Sequence, residues 1–215
     1  MSRLIHLIQF LILKPLFIFS LRNILRVRKY TLETIFVIYQ MDELVRHAPP
    51  GAIVEAGCWK GGLGAYMALS GRDTYLFDSF DGLPETSEKD SDMRRTLPLK
   101  QKTNYLKVSE ESVYEISRKL KVDPYVIKGW FNETLPQWKE KIGKIAVLHV
   151  DGDIYSSTKE VLSCLYDNVV KGGVIVMDDY YTYGGSRRAL YEFFQENSII
   201  PALRSYPFGK VYFIK

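Results

Sequence analysis

Apolar and polar residues alternate with two different periods along this chain. Short apolar runs typical of strands begin at Ala52, Thr74, Tyr125, Ile145 and Gly172. Segments with apolar residues at helical spacing lie between or around them, and the predicted helices span residues 31–47, 109–120, 156–169 and 186–197, with another after the glycine-rich turn near residue 60. The last residues predict two short strands joined by a Pro-Phe-Gly turn. The pattern predicts a doubly wound, mostly parallel α/β sheet with an antiparallel C-terminal strand.

One long polar segment interrupts this alternation. Residues 81–102 are rich in charge and are punctuated by prolines, without a helical or strand period. A segment of this length between regular elements is typical of functional loops. We therefore predict a mobile loop or lid here.

Composition and charge narrow the class of protein. The chain has 215 residues, 47% of them hydrophobic, which suits one α/β domain with extra length. Its net charge is +4, but residues before Glu33 carry six cations and no acid, which leaves −2 for the rest. This remainder has no basic stripe interleaved with aromatic residues, which argues against nucleic acid as a partner. The two cysteines lack metal-type spacing and favour reduced thiols in a cytoplasmic protein.

Residues 1–30 form a basic, hydrophobic head, and we take residues 31–215 as the main domain. Polar residues and Pro15 interrupt the apolar run, which makes it a poor transmembrane helix. Three interpretations stay open: packing on the domain or on a second subunit, peripheral contact with an anionic membrane, and a signal anchor. The protein is thus expected to be cytoplasmic, with membrane association as an open alternative, and to form a homo-oligomer.

The turn after the first strand indicates a cofactor. The stretch "EAGCWKGG" supplies Glu55, Gly57, Gly61 and Gly62, and Asp78 follows Gly57 by 21 residues, at the end of the second strand. A carboxylate at this offset suits the hydroxyls of a ribose. The phosphate-binding loop and the GxGxxG fingerprint are both absent from the sequence, and an acid so close to the first glycine would repel a pyrophosphate. The pattern favours S-adenosylmethionine, which carries an ammonium group and a ribose but no phosphate.

Two acidic pairs follow two buried strands. Asp151 and Asp153 flank Gly152 after the fourth strand, and Asp178 and Asp179 end the fifth. Neighbouring parallel strands bring their carboxyl ends to one edge, where several carboxylates repel one another unless a cation neutralises them. A carboxylate-rich site favours Mg²⁺. The alternative is that these acids are solvated and cap the helices that follow, as the position of Asp153 before Ser156 allows.

Five motifs together carry a resemblance to a known family. In order they are "EAGCWKGG", "FDSFDGLP", "GWFNETLP", "VDGDIYSST" and "MDDY". The set is similar to the macrocin O-methyltransferase family, whose members methylate sugar hydroxyls of natural products on the seven-stranded class I methyltransferase sheet. The resemblance implies that Asp151, Asp178 and Asp179 hold Mg²⁺. It also implies that S-adenosylmethionine lies among residues of the first three motifs, which are Glu55, Gly57, Trp59, Gly61, Asp78, Ser79, Gly129, Trp130 and Phe131.

The reaction implied by this resemblance needs a base. Asp153 lies two residues beyond Asp151, so on an extended chain both side chains point the same way. Asp153 is therefore the favoured base, with His149 and Asp151 as alternatives. Methylation of a catechol or phenol is a rival function, but such enzymes generally carry a lysine where this chain has Ile154. A second rival is a non-catalytic, membrane-associated scaffold on the same fold.

Overall fold

The computed structural model describes residues 16–90, 106–206 and 209–215, with side chains from residue 21 onward. The helices are α1 Leu16–Val27, α2 Ile35–His47, α3 Gly62–Met67, α4 Glu111–Leu120, α5 Phe131–Ile142, α6 Tyr155–Leu165 and α7 Gly184–Glu196. The strands are β1 Ala52–Ala56, β2 Thr74–Asp78, β3 Tyr125–Lys128, β4 Ile145–Val150, β5 Val169–Met177, β6 Arg204–Ser205 and β7 Val211–Ile214.

The strands form one seven-stranded sheet in the order β3-β2-β1-β4-β5-β7-β6. Pairs from β3 through β5 are parallel, whereas β7 runs antiparallel to both β5 and β6. The order reverses at β1, which lies between β2 and β4, and ligands of open α/β sheets bind beside such a switch point. The predicted fold, including its antiparallel C-terminal strand, is confirmed.

Two apolar clusters cover the two faces of the sheet. Successive residues of β4 point to opposite faces, so Val147 packs with α1 to α4 while Leu148 packs with α5 to α7. Every residue of β1 and β4 is buried, as expected for central parallel strands. This double cover fixes the strands rigidly and leaves their carboxyl ends to carry the loops of the site.

Helix α1 belongs to the first of these clusters. Ile24 and Val27 are fully buried against α2, α3 and α4. The described part of the basic head therefore packs on the domain, while residues 1–15 lie outside the described residues. No helix in the described ranges is long and apolar enough to cross a membrane.

Several predicted boundaries differ from the observed ones. The helix predicted from Thr31 begins at Ile35, because Thr34 is extended and its side chain accepts the amide hydrogen of Val37. The helix predicted from residue 109 begins at Glu111. The helix predicted to reach Val169 ends at Leu165, and Val169 already starts β5.

The sequence pattern predicts a strand and a loop between Tyr125 and Ile145 but not the helix α5 that follows the strand. The one proline of "NETLPQWKEK" obscures its helical period, yet this residue, Pro136, lies inside the helix. The predicted lid lies only partly within the described residues, since residues 91–102 fall outside them. The described first part of this segment closes with a short helical turn at Glu88–Asp90.

Candidate functional site

A cavity of about 460 Å³ lies at the carboxyl ends of β1, β2, β4 and β5. Twelve of the predicted site residues line it: Glu55, Gly57, Trp59, Asp78, Ser79, Gly129, Trp130, Phe131, Asp151, Asp153, Asp178 and Asp179. His149 lies beneath the cavity and is fully buried. Gly61 is the N-cap residue of α3 and has a φ of +76°, and a side chain there would meet Val113 at 2.6 Å, so its place is set by packing.

Glu55 marks one side of this cavity. It is 2% exposed, and its Oε1 lies 3.2 Å from Nδ1 of His149. Its Oε2 is buried without a hydrogen-bond partner. Burial raises the pKa of Glu55, although the bond to His149 opposes this. A buried, unpaired acceptor is costly unless a ligand donates to it.

Asp78 has a local structural role besides the ribose contact that its spacing suggests. Its two carboxylate oxygens accept backbone amide hydrogens from Trp59 and Phe80, both at 2.7 Å. Trp59 and Phe80 have φ values of 49° and 58°, so the carboxylate fixes two unusual turns. Burial raises the pKa of Asp78 and these two amides oppose it. Each oxygen keeps a second lone pair that a ribose hydroxyl can use.

The remaining predicted cofactor residues shape the wall. The hydroxyl of Ser79 donates to the carbonyl of Gly82 at 3.0 Å within the local turn. The indole Nε1 of Trp59 is buried without a partner, which makes it a second orphaned group beside Glu55. Trp130 precedes α5 and Phe131 begins it, and Phe131 also packs against the α5–α7 core. Both aromatic rings are thus placed for contact with a ligand, and Phe131 serves the core as well.

The acidic residues converge as predicted. One ligand atom from each of His149, Asp151 and Asp178 lies within 4.8 Å of the others. Asp179 joins from the next position, but its Oδ2 already accepts the amide hydrogen of Asp153 at 2.9 Å. Burial, followed by repulsion among the aspartates, raises the pKa of Asp151 and of Asp179 well above the ordinary value. This surplus of negative charge favours a bound cation.

Asp153 does not cap the helix that follows it. Helix α6 begins at Tyr155, its cap residue Ile154 makes no side-chain cap, and the amide of Tyr155 donates instead to Asp90 at 2.6 Å. Asp153 also has a φ of +60°. This is the left-handed region, which residues with a side chain occupy at a cost of roughly 1–2 kcal/mol. Burial, with the charge of Asp178, raises the pKa of Asp153 to about 7. A carboxylate held this way is typical of a functional position.

Five charged groups of alternating sign cross the floor of the site, and we call them the charge row. Their order is Glu55, His149, Asp178, Lys210, Glu33. His149 Nε2 lies 3.3 Å from Asp178 Oδ1, Lys210 Nζ lies 2.5 Å from Asp178 Oδ2, and the same ammonium lies 3.3 Å from Glu33 Oε1. The row connects the end of β1 with the acidic cluster and with the segment before α2.

The row determines the ionisation of its members. Burial lowers the pKa of His149, but bonds to Asp178 and Glu55 outweigh it and raise that pKa to about 10. Burial opposes ionisation of Asp178, yet His149 and Lys210 lower its pKa below the ordinary value. Glu33 has its pKa raised to about 7, first by burial and then by Asp178. With both ring nitrogens engaged and no face on the cavity, His149 is arranged to position its neighbours.

Sequence reasoning missed Glu33 and Lys210 as members of the site. Glu33 stands where a helix was predicted, and Lys210 follows the turn between the two C-terminal strands. No motif signals either residue. The clue to Lys210 is that the antiparallel β7 places its start beside the end of β5, where Val211 pairs with Met177.

Residues 35–215 match the family model described as Macrocin-O-methyltransferase (TylF). The chain belongs to the macrocin O-methyltransferase family. The resemblance carried by the five motifs is thereby confirmed, and these motifs surround the cavity just described.

Individual relatives agree with this assignment. The chain is 35% identical over 150 residues to demethyldecarbamoylnovobiocin O-methyltransferase of Streptomyces niveus, covering 65% of this chain and 56% of the relative. It is 31% identical over 171 residues to mycinamicin III 3''-O-methyltransferase of Micromonospora griseorubida, covering 74% and 66% respectively. The chain therefore spans about half of the first relative's length and about two thirds of the second's.

Solved structures place the fold among methyltransferases. The O-methyltransferase NovP superimposes with a TM-score of 0.75 at 30% identity, covering 86% of this chain and 82% of that one. The calicheamicin methyltransferase CalS11 superimposes with a TM-score of 0.68 at 21% identity, covering 82% and 77%. The second likeness supports the fold alone, whereas the first extends over most of both chains.

Proposed function

We propose that this protein is an S-adenosylmethionine- and Mg²⁺-dependent O-methyltransferase acting on a sugar hydroxyl of a glycosylated natural product. The observation that carries this proposal is the composition of one cavity. It has an unpaired buried acceptor at Glu55 on one side and four aspartates on the other. The named reactions of the relatives, which include a novobiocin-type and a mycinamicin acceptor, support the choice of substrate class.

The cofactor fits the residues at the end of β1 and β2. Glu55 Oε2 suits the ammonium of the methionine part, since it is a buried carboxylate oxygen without a donor. Asp78 offers its remaining lone pairs to the ribose, and Trp130 and Phe131 offer aromatic faces for the adenine. S-adenosylmethionine supplies an activated methyl group on sulfur.

The metal fits the acidic cluster at the end of β4 and β5. Asp151, Asp178 and Asp179 would hold Mg²⁺, because they offer hard oxygen ligands and an uncompensated negative charge. A bound divalent cation makes a neighbouring hydroxyl more acidic. Among the described residues, His149 is the nitrogen donor that lies close enough to compete as a ligand, but Glu55 and Asp178 occupy its ring nitrogens.

The chain's own residues then bind, orient and deprotonate the acceptor. Asp153 faces the cavity beside the acidic cluster, and its carboxylate would accept the proton of the acceptor hydroxyl. Thr31, Leu32 and Tyr183 line the same cavity and would contact the acceptor. Ile154, where a catechol-type enzyme would carry lysine, is 1% exposed and cannot serve the acceptor, which favours a sugar.

Cofactor binding is tested first, with S-adenosylhomocysteine and thermal unfolding. A ligand at 100 times its Kd stabilises by about 2.7 kcal/mol, or a Tm rise of roughly 5–10 °C for a domain of this size. Glu55→Gln should reduce the rise, while Glu140→Gln, on an exposed position of α5, should not. No rise for folded wild-type protein at millimolar ligand would exclude the cofactor assignment.

Catalysis is tested with a panel of deoxysugar glycosides and, for the rival class, catechols. Excess EDTA should abolish turnover and leave the Tm rise with S-adenosylhomocysteine intact. Asp153→Asn should lower kcat by roughly two to four decades with little change in cofactor or metal affinity. Asp167→Asn, an exposed carboxylate, is the matched control. Full turnover in EDTA would remove the metal from the mechanism, and normal kcat in Asp153→Asn would move the base elsewhere.

Peripheral contact with an anionic membrane is a separate proposal for the basic head. The outer side of α1 and the turn after it exposes Arg22, Leu25, Arg28 and Lys29, with Leu25 61% exposed. Replacing Arg22 and Arg28 by glutamate in the full chain should weaken co-sedimentation with phosphatidylserine vesicles. Equal sedimentation of both proteins contradicts the proposal. The expected homo-oligomer also stays a prediction, which light scattering decides.

A further inference from the structure

Lys210 brings a positive charge into the site from the C-terminal tail. Its ammonium lies 2.5 Å from Asp178 Oδ2 and 3.3 Å from Glu33 Oε1. Among the described residues that line the cavity, it is the one lysine or arginine. Its side chain is 20% exposed, so this is no ordinary surface ion pair.

The core holds the backbone of Lys210 in place. Gln40 of α2 is fully buried, and its Nε2 donates to the carbonyl of Lys210 at 2.8 Å. The amide of Lys210 donates back to Gln40 Oε1 at 2.6 Å. Gly209 fits against the same amide, since a side chain there would lie within 2.2 Å of Gln40 Oε1. A buried polar side chain thus fixes the backbone position of this lysine.

Both carboxylate oxygens of Asp178 already have a cationic partner in this arrangement. His149 occupies Oδ1 and Lys210 occupies Oδ2. A divalent cation bound to Asp178 would lie beside these positive charges, and repulsion between the cations favours displacement of one partner. His149 is fully buried and held on its other side by Glu55, so it cannot withdraw. Lys210 has a flexible stem and a second carboxylate, Glu33, on its other side.

We propose that Lys210 is a positioning residue that occupies Asp178 in the metal-free protein and moves onto Glu33 when Mg²⁺ binds. The proposal rests on the metal site of the proposed function. Before the metal arrives, the ammonium compensates Asp178 and keeps its carboxylate oriented. On metal binding, like-charge repulsion drives the ammonium away, and Glu33 receives it.

The test is a titration of Mg²⁺ into cofactor-free protein by calorimetry. Lys210→Met removes the competing cation and should tighten Mg²⁺ binding roughly tenfold, a typical size for coupling between neighbouring sites. Glu33→Gln removes the second partner of the ammonium and should weaken Mg²⁺ binding several-fold, by an estimate from the same coupling. Lys171→Met, on an exposed position of β5, is the matched control and should leave the affinity unchanged.

A double variant separates this mechanism from a general effect of charge. If Glu33 acts through the lysine, Glu33→Gln should have little effect on Mg²⁺ affinity once Lys210 is methionine. An equal loss in both backgrounds overturns the transfer to Glu33. Unchanged or weaker Mg²⁺ binding by Lys210→Met overturns the proposal alone, provided that wild type binds Mg²⁺ and S-adenosylhomocysteine still raises the Tm of the variant. Absence of Mg²⁺ binding in every protein overturns the metal site as well.

Discussion

Gly57→Ala tests whether the turn after β1 and the loop after β4 depend on each other for their positions. Gly57 has a φ of +100°, and a methyl group on it would lie 1.7 Å from the carbonyl oxygen of Asp151. The two loops are also hydrogen-bonded, because the amide of Asp151 donates to Ala56 at 2.9 Å. The glycine therefore permits the end of β1 to cross the end of β4.

The cost of this substitution has two parts. The backbone conformation costs an alanine roughly 1–2 kcal/mol. The overlap is with a backbone atom rather than a flexible side chain, so a strand end must shift, at about 1–3 kcal/mol. We expect a total loss of about 2–5 kcal/mol, and a fall in Tm of about 4–20 °C for a domain of this size. Because Asp151 moves with its carbonyl, Mg²⁺ binding should also weaken.

Gly71→Ala is the matched control. Gly71 has a similar positive φ of +77°, but an added methyl group would meet nothing within 4 Å. It should lose only the backbone part, roughly 1–2 kcal/mol. Urea and thermal unfolding of both variants measure the difference, and Mg²⁺ calorimetry measures the second effect. If both variants lose the same stability, or if Gly57→Ala keeps its Mg²⁺ affinity, the two loops are not coupled as argued.

Two further predictions concern buried polar and sulfur groups. Gln40→Leu leaves the backbone amide and carbonyl of Lys210 without their buried partner. It should lower the free energy of unfolding, measured with urea, by about 2–4 kcal/mol. A loss under about 0.5 kcal/mol would contradict that account. Burial is the main cause that raises the pKa of both cysteine thiols, and it raises that of Cys58 well above the ordinary value. A thiol reagent at pH 8 should therefore modify the half-buried Cys164 first, and the buried Cys58 only after unfolding. Equal rates in the folded protein would refute the burial of Cys58.

The order of the strands, and of the helices other than α5, could be predicted because each signal was local. Buried central strands read as apolar runs, as at Ile145–Val150, and each run ended in an acid or a glycine. Parallel topology then placed all of these ends at one edge without further information. That is why Asp151 and Asp178, 27 residues apart in sequence, were expected together and were found together.

The parts that failed depend on contacts between distant segments. Helix α5 was missed because Pro136 is a local breaker that the surrounding core overrides. The two amides that the oxygens of Asp78 accept could not be predicted either, because only the folded turns reveal their positions. Lys210 could not be predicted, because its place depends on Gln40, 170 positions away.

Groups in this site that lack a partner indicate where ligands belong. Asp178 is compensated on both sides by His149 and Lys210, so it is ordered before any ligand arrives. Among the described residues no side-chain hydrogen bond or ion pair is made by the carboxylate of Asp151, and Glu55 keeps one buried oxygen unpaired. Unpaired buried acceptors cost free energy that only a cation or donor recovers. In the function proposed above, the ammonium group of the cofactor would supply positive charge at Glu55, and the divalent metal would supply it at the aspartates.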